Sequence, residues 1–187
     1  LLILANLIAV EDFGIIGMAS VFVLFFNTIQ NIGFDSSIIY SKTFKEKHLL
    51  SLLILNVIVG FFIYLLGFFL SPYLSSFYHN KEIESIFKVL VLTVFLSSFG
   101  VVSKGYLQKN LDFKKLALVE VISITIAGIL AIILATNNYG FWSLVLQQLV
   151  TVGLTSLGFL VITSKSVFKE SFFSLKIISE HLKFGYN

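Results

Sequence analysis

Residues 121–164 contain no Asp, Glu, Lys or Arg. As one helix, these 44 residues would be roughly 66 Å long, about twice the hydrocarbon core of a bilayer. The segment must therefore fold back once, and the turn-forming cluster Asn137-Asn138-Tyr139-Gly140 marks the place. Residues 49–80 form a second charge-free block. Two such blocks leave too little charge to cover a solvated surface. The chain is 57% hydrophobic and 12% charged, against about 25% charged for a soluble domain. A soluble fold is excluded.

The apolar runs predict an all-α, polytopic transmembrane helix bundle forming one partial domain over residues 1–187. Residues 1–10 read as the tail of a first membrane helix, followed by helices at 15–40, 49–70, 86–106, 116–135 and 141–163. A seventh helix is expected to start within 179–187. Residues 11–14 should be a turn, Pro72 should end the helix before it, and 81–88 should be a short polar amphipathic piece. The sequence opens without Met and closes within an apolar pattern, so a fragment of a longer protein is expected. The opening run has no basic leader and is not read as a signal peptide.

The net charge of +3 comes from Lys alone, because the chain has no Arg. Those Lys residues alternate between connections. The turn at Glu11-Asp12 has none, residues 41–48 have three, and Lys81 stands beside Glu82 and Glu84. Lys109, Lys114 and Lys115 come next, residues 137–140 have none, and Lys165, Lys169 and Lys176 close the series. Six crossings with basic loops held inside produce this alternation, which predicts a cytoplasmic N-terminus. Lysines placed this way orient a membrane protein, and no nucleic-acid partner is expected.

There is no Cys, and His48, His79 and His181 lie far apart. Neither a metal site nor a cofactor is expected. No phosphate-binding loop, zinc spacing or nucleophile elbow occurs, so the chain is not expected to be an enzyme.

Polar groups within a span need partners, protein or water. At 100° per residue, Ser20, Asn27, Asn31 and Asp35 fall within about 80° of one another. This stripe either hydrogen-bonds to a neighbouring helix or lines a hydrophilic cavity. Ser97, Gly100, Lys104 and Gln108 share one helix face, and Glu120, Ser123, Ala127 and Ala131 share another. Lys104 and Glu120 should lie at similar depth, where a pair would lessen the cost of both charges. Alternatively, each snorkels to water. Ser143, Gln147, Thr151 and Thr155 repeat every four residues, and Gln147 is a further cavity candidate. Gly153 and Gly158 could permit close helix approach.

Several segments resemble one family. Glu11-Asp12-Phe13-Gly14 is similar to its "TPEDFG" turn, with Ala9-Val10 in place of Thr-Pro. The run Asn31-Ile32-Gly33-Phe34-Asp35 through Tyr40 resembles the end of its second helix. Tyr106-Leu107-Gln108-Lys109 through Ala117, followed by Glu120, resembles an "LQR-x-L-x-F" loop. Asn138-Tyr139-Gly140-Phe141-Trp142 resembles a Gly-aromatic-Trp helix entry, and Lys183-Phe184-Gly185 the opening of the next helix. The family is that of Wzx-type polysaccharide and oligosaccharide-lipid exporters, within the superfamily that includes the multidrug (MATE) exporters. The resemblance implies the N-terminal lobe of a flippase in the bacterial inner membrane. It implies an undecaprenyl-diphosphate-linked glycan as cargo, the lipid bilayer and glycan assembly proteins as partners, and alternating access as the mechanism. Asn27, Asn31, Asp35, Lys104, Glu120 and Gln147 would then be substrate-cavity residues.

Other classes remain in play. A MATE-like drug or ion antiporter would share the architecture. A membrane glycan polymerase or acyltransferase should carry a large outer loop with His, Asp or Arg, and no outer connection here exceeds a short turn. A scaffold subunit would leave the intramembrane Asn27, Asn31, Asp35 and Glu120 without a role.

Overall fold

The computed structural model describes residues 2–31 and 49–169. Six helices follow one another among the described residues: α1 (Leu2–Leu7), α2 (Val10–Asn31), α3 (Leu49–Tyr78), α4 (Glu82–Lys109), α5 (Phe113–Thr136) and α6 (Phe141–Lys169). Among the described residues there is no strand. The five helices α2–α6 are each long and apolar enough to cross a membrane. Their exposed faces are apolar too, as on α5, where Val121, Ile122, Ile129 and Ile133 point outward. A helix that is apolar on both its buried and exposed faces is suited to lipid.

Tight turns at 79–81, 110–112 and 137–140 make α3 to α6 antiparallel neighbours in sequence. One end of the bundle carries Lys109, Lys114 and Lys115 around the 110–112 turn. The opposite end carries the α1–α2 junction and the turns at 79–81 and 137–140. Asn138 and Gly140 take positive φ values of 62° and 51° in the expected fold-back.

Helix α4 is the centre, with half of its apolar span buried against no more than 33% for α2, α3, α5 or α6. It packs along α3 and α6 and then α2, while α5 leans mainly on α6. At the lysine-poor end, Leu4 and Ile8 join Ala19, Phe26, Phe87, Ala131 and Val145 in a single core. Phe22 and Phe26 pack on the buried Phe87 ring at 6.3 and 6.2 Å. Helices α2 and α5 scarcely touch. The gap between them is a cleft floored by α4 and α6.

Several element ends differ from the sequence reading. Helix α2 starts at Val10 instead of 15, because Glu11 and Asp12 occupy its first turn, where the helix dipole favours carboxylates. Pro72 does not end α3, which continues to Tyr78. Proline cannot donate to the carbonyl four residues back, here Phe68. The Ser71 hydroxyl donates to that carbonyl at 2.7 Å and so satisfies the acceptor that Pro72 cannot reach. The polar piece at 81–88 is the first two turns of α4, joined by a Lys88–Glu84 ion pair of 2.6 Å. Helix α6 extends to Lys169, past the expected end at 163. Asp35, the lysines at 42–47 and the expected seventh helix lie outside the described residues.

Close helix crossings depend on glycine. A Cβ on Gly100 would lie 2.8 Å from Ser156 Cα, so α4 and α6 nearly touch backbone to backbone there. Gly158 admits Val119 of α5 in the same way, with its Cγ1 2.7 Å from the absent Cβ. Gly153 does not serve this purpose, since its nearest neighbour is a Leu96 methyl at an ordinary 3.9 Å.

Candidate functional site, a polar cleft with two chambers

Two adjoining chambers share Val152 of α6, the first within the cleft between α2 and α5 and the second among α4, α5 and α6. The first, about 520 Å³, lies among α2, α4, α5 and α6 and is lined by Ser20, Asn27, Thr93, Gln147, Gln148 and Thr151, with aliphatic side chains between them. The second, about 280 Å³, lies nearer the lysine-rich end and is lined by Ser97, Gly100, Lys104, Gln108, Glu120, Thr155 and Ser156.

Helical spacing places these groups. Thr93 and Ser97 stand one turn apart on α4, and Gln147, Thr151 and Thr155 stand one turn apart on α6. Thr151 donates its hydroxyl to the Gln147 carbonyl at 2.7 Å, and Thr155 donates to the Thr151 carbonyl. Both oxygens therefore face the cleft as acceptors. Ser143, the first residue of that series, is instead fully buried and donates to the Gly140 carbonyl at 2.6 Å.

In the second chamber Lys104 Nζ donates to Glu120 Oε1 at 3.0 Å. The side chains are 45% and 41% exposed, so this pair lies open to the chamber. Its four-residue face on α4, from Ser97 to Gln108, lines the chamber throughout. On α5, Ser123, Ala127 and Ala131 are buried below Glu120.

The structure thus brings Asn27 and Gln147 to one chamber and Lys104 and Glu120 to the other. Ser20 lies beside Asn27, as the stripe on α2 predicts. Asn31 is the last residue described on α2, and Asp35 lies outside the described residues.

A third polar group was not singled out by periodicity. Gln30 is fully buried at the junction of α2, α3 and α4. Its Nε2 donates to Asn56 Oδ1 at 2.9 Å, and Ser97 Oγ, whose single proton is shared with the nearer Val94 carbonyl at 2.8 Å, lies 3.2 Å from its Oε1. Asn56 is also fully buried, and its Nδ2 has no partner among the described residues. The signal available in the sequence was Asn56 itself, the sole amide between residues 49 and 79. Ser97 links this knot to the second chamber, which it also lines.

These features define an α-helical, multi-pass membrane protein with an open cleft lined by both polar and aliphatic side chains. Residues 3–187 match the family model described as polysaccharide biosynthesis protein, and the chain belongs to that family. It is 27% identical over 187 residues to the lipopolysaccharide biosynthesis protein WzxC of Escherichia coli, covering 98% of this chain and 37% of that protein. It is 25% identical over 149 residues to the succinoglycan biosynthesis transport protein ExoT of Rhizobium meliloti, covering 80% of this chain and 30% of the relative. The teichuronic acid biosynthesis protein TuaB of Bacillus subtilis is 27% identical over 110 residues, 58% of this chain and 23% of the relative. The chain thus spans little more than a third of the length of these relatives at most. No solved structure matches it.

Proposed function

We propose that this chain is the N-terminal lobe of an exporter that moves lipid-linked polysaccharide precursors across the bacterial cytoplasmic membrane. The observation that carries the reading is a polar cleft within a bundle whose outer faces are apolar. Hydroxyl and amide groups at membrane depth need partners, and a cleft holding two chambers of them suits a hydrophilic cargo. Its family relatives include a protein named for succinoglycan transport. Such cargo carries a glycan head that cannot dissolve in about 30 Å of hydrocarbon. A polar path through the protein carries the head while the lipid tail stays in the bilayer. No bond is made or broken, so the activity is transport, not catalysis. Asn27 and Gln147, with Lys104 and Glu120, line this lobe's part of the path. By sequence spacing, Asn31 and Asp35 are in register with the same stripe, and Asp35 lies outside the described residues. Alternating access against a second lobe exposes the path to each side in turn. The cargo is an undecaprenyl-diphosphate type of glycan lipid, and the glycan assembly proteins that make and polymerise it are the natural partners.

The test is inactivation of the full-length gene in its own host. Surface polysaccharide should disappear and lipid-linked precursor should accumulate inside, and a plasmid copy should reverse both. Unchanged surface polymer with no accumulated precursor would overturn the exporter.

The orientation follows from the lysine alternation. The N-terminus and the basic segments around Lys45, Lys114 and Lys169 lie in the cytoplasm. Cysteines placed at these positions should react with an impermeant thiol reagent only after the cells are opened. Labelling of any one in intact cells would reverse the topology.

A further inference from the structure

The first chamber differs in kind from the second. Its six hydroxyl and amide side chains carry no charge, and the remaining wall is aliphatic. None of the described residues that line it is aromatic, so hydrogen bonding is what they offer a sugar. An ionised group entering a neutral chamber at membrane depth would lose its hydration with no counter-charge to replace it. A hydroxyl-rich, uncharged group loses water but regains hydrogen bonds. Each amide of Asn27 and Gln147 offers both donors and an acceptor, matching a sugar hydroxyl that is itself both. Thr151, whose proton is committed to the Gln147 carbonyl, adds an acceptor. Ile124 and Val152 can cover the C–H faces of a pyranose. The volume of about 520 Å³ is within the range of small-molecule sites.

We infer that this chamber is a subsite for uncharged sugar residues, neutral hexoses or deoxyhexoses, and that Asn27 and Gln147 set its preference against uronic acids. The inference rests on the exporter reading and narrows it: the part of the glycan that passes through this chamber is neutral.

The described chain contains no cysteine, which makes single-cysteine protection a clean assay. The full-length protein is purified with any cysteines outside this chain changed to serine, and Asn27→Cys and Gln147→Cys are made separately. Each variant is first shown to be monodisperse in mild detergent. The rate of modification by a small neutral thiol reagent is then measured with maltotriose or trigalacturonic acid, each titrated until its effect levels off. Maltotriose should slow both cysteines about fivefold or more, as expected when probe exceeds its dissociation constant severalfold, and trigalacturonate should not. Adding Gln147→Lys to the Asn27→Cys protein should make trigalacturonate protective, because the chamber then holds a cation. Equal protection by both probes, better protection by trigalacturonate, or no protection by either overturns the subsite. Cysteines unreactive even without a probe also overturn it, because protein would then fill the chamber. The gene-inactivation result separates this from the wider reading. Loss of surface polymer with no maltotriose protection removes only the subsite, whereas intact surface polymer removes the exporter whatever the cysteines do.

Discussion

The Gln30–Asn56–Ser97 knot and the Lys104–Glu120 pair are both polar contacts between helices of an apolar bundle, yet their environments are opposite. The knot is neutral, and both amides are fully buried where α2, α3 and α4 meet. The pair is charged, nearly half exposed, and faces a chamber. A buried amide left without a partner costs about 1–3 kcal/mol, because nothing solvates it. An exposed ion pair contributes about 0–1 kcal/mol, because water competes for both ends. The knot therefore serves the fold, while the pair is free to serve the cleft. Ser97 belongs to both, with its Oγ 3.2 Å from Gln30 Oε1 and its side chain lining the chamber, so the two lie side by side.

The sharpest way to break this contrast is at Gly60, where a Cβ would lie 2.8 Å from Ser98 Cβ and 3.0 Å from Gln30 Nε2. Gly60→Val should force α3 from α4 and pull the knot apart. The expected loss is about 3 kcal/mol, the upper range for overpacking a dense interior. Unfolding of the full-length protein in mild detergent measures it. A midpoint equal to wild type would mean that the crossing is looser than the structure shows.

A smaller effect is expected from the amides themselves. Gln30→Leu should destabilise by about 1–2 kcal/mol, since it strands Asn56 Oδ1, and Asn56→Leu by less, since it strands Gln30 Nε2 but also removes the unpaired Nδ2. The double variant should lie closer to wild type than the sum of the singles, because apolar groups then replace both ends. Strictly additive losses would show that the two amides do not interact.

The least change in stability is expected at the ion pair. Lys104→Met and Glu120→Gln should each lower stability by less than about 1 kcal/mol. The double variant should recover part of the loss in folded protein. Export, scored by surface polysaccharide, should fall in both single variants even where folded protein is normal. If Lys104→Met destabilises more than Gln30→Leu, the division between a fold-holding knot and a cleft-facing pair is wrong.

Much of the architecture was legible in the chain. Charge-free runs longer than one bilayer crossing dictate helices and a fold-back, because backbone polar groups in lipid can be satisfied only within a helix. Four-residue spacing likewise fixes which side chains share a face, so spacing alone groups Ser97, Lys104 and Gln108. Element ends were less legible. Pro72 signals a stop, and only the structure shows the helix continuing, with the Phe68 carbonyl satisfied by Ser71.

Periodicity defines a face but not what that face meets. It gave Asn27 a stripe and left Gln30 aside, although the helix is polar on both sides. Whether an amide on α2 looks into a cleft or onto α3 depends on how α2 is rotated against its neighbours. That rotation is set by packing around Phe87 and by the close crossing at Gly60, contacts between residues far apart in the chain. Composition and spacing by themselves determined a membrane-spanning helical bundle and the grouping of its polar residues. The tertiary structure alone decided that Asn27 and Gln147 share a chamber, that Lys104 meets Glu120, and that Gln30 is sealed with Asn56. The physical reason is that hydrophobicity is a local property of each segment, while the partner of a polar group is fixed only when separate helices come to rest against one another.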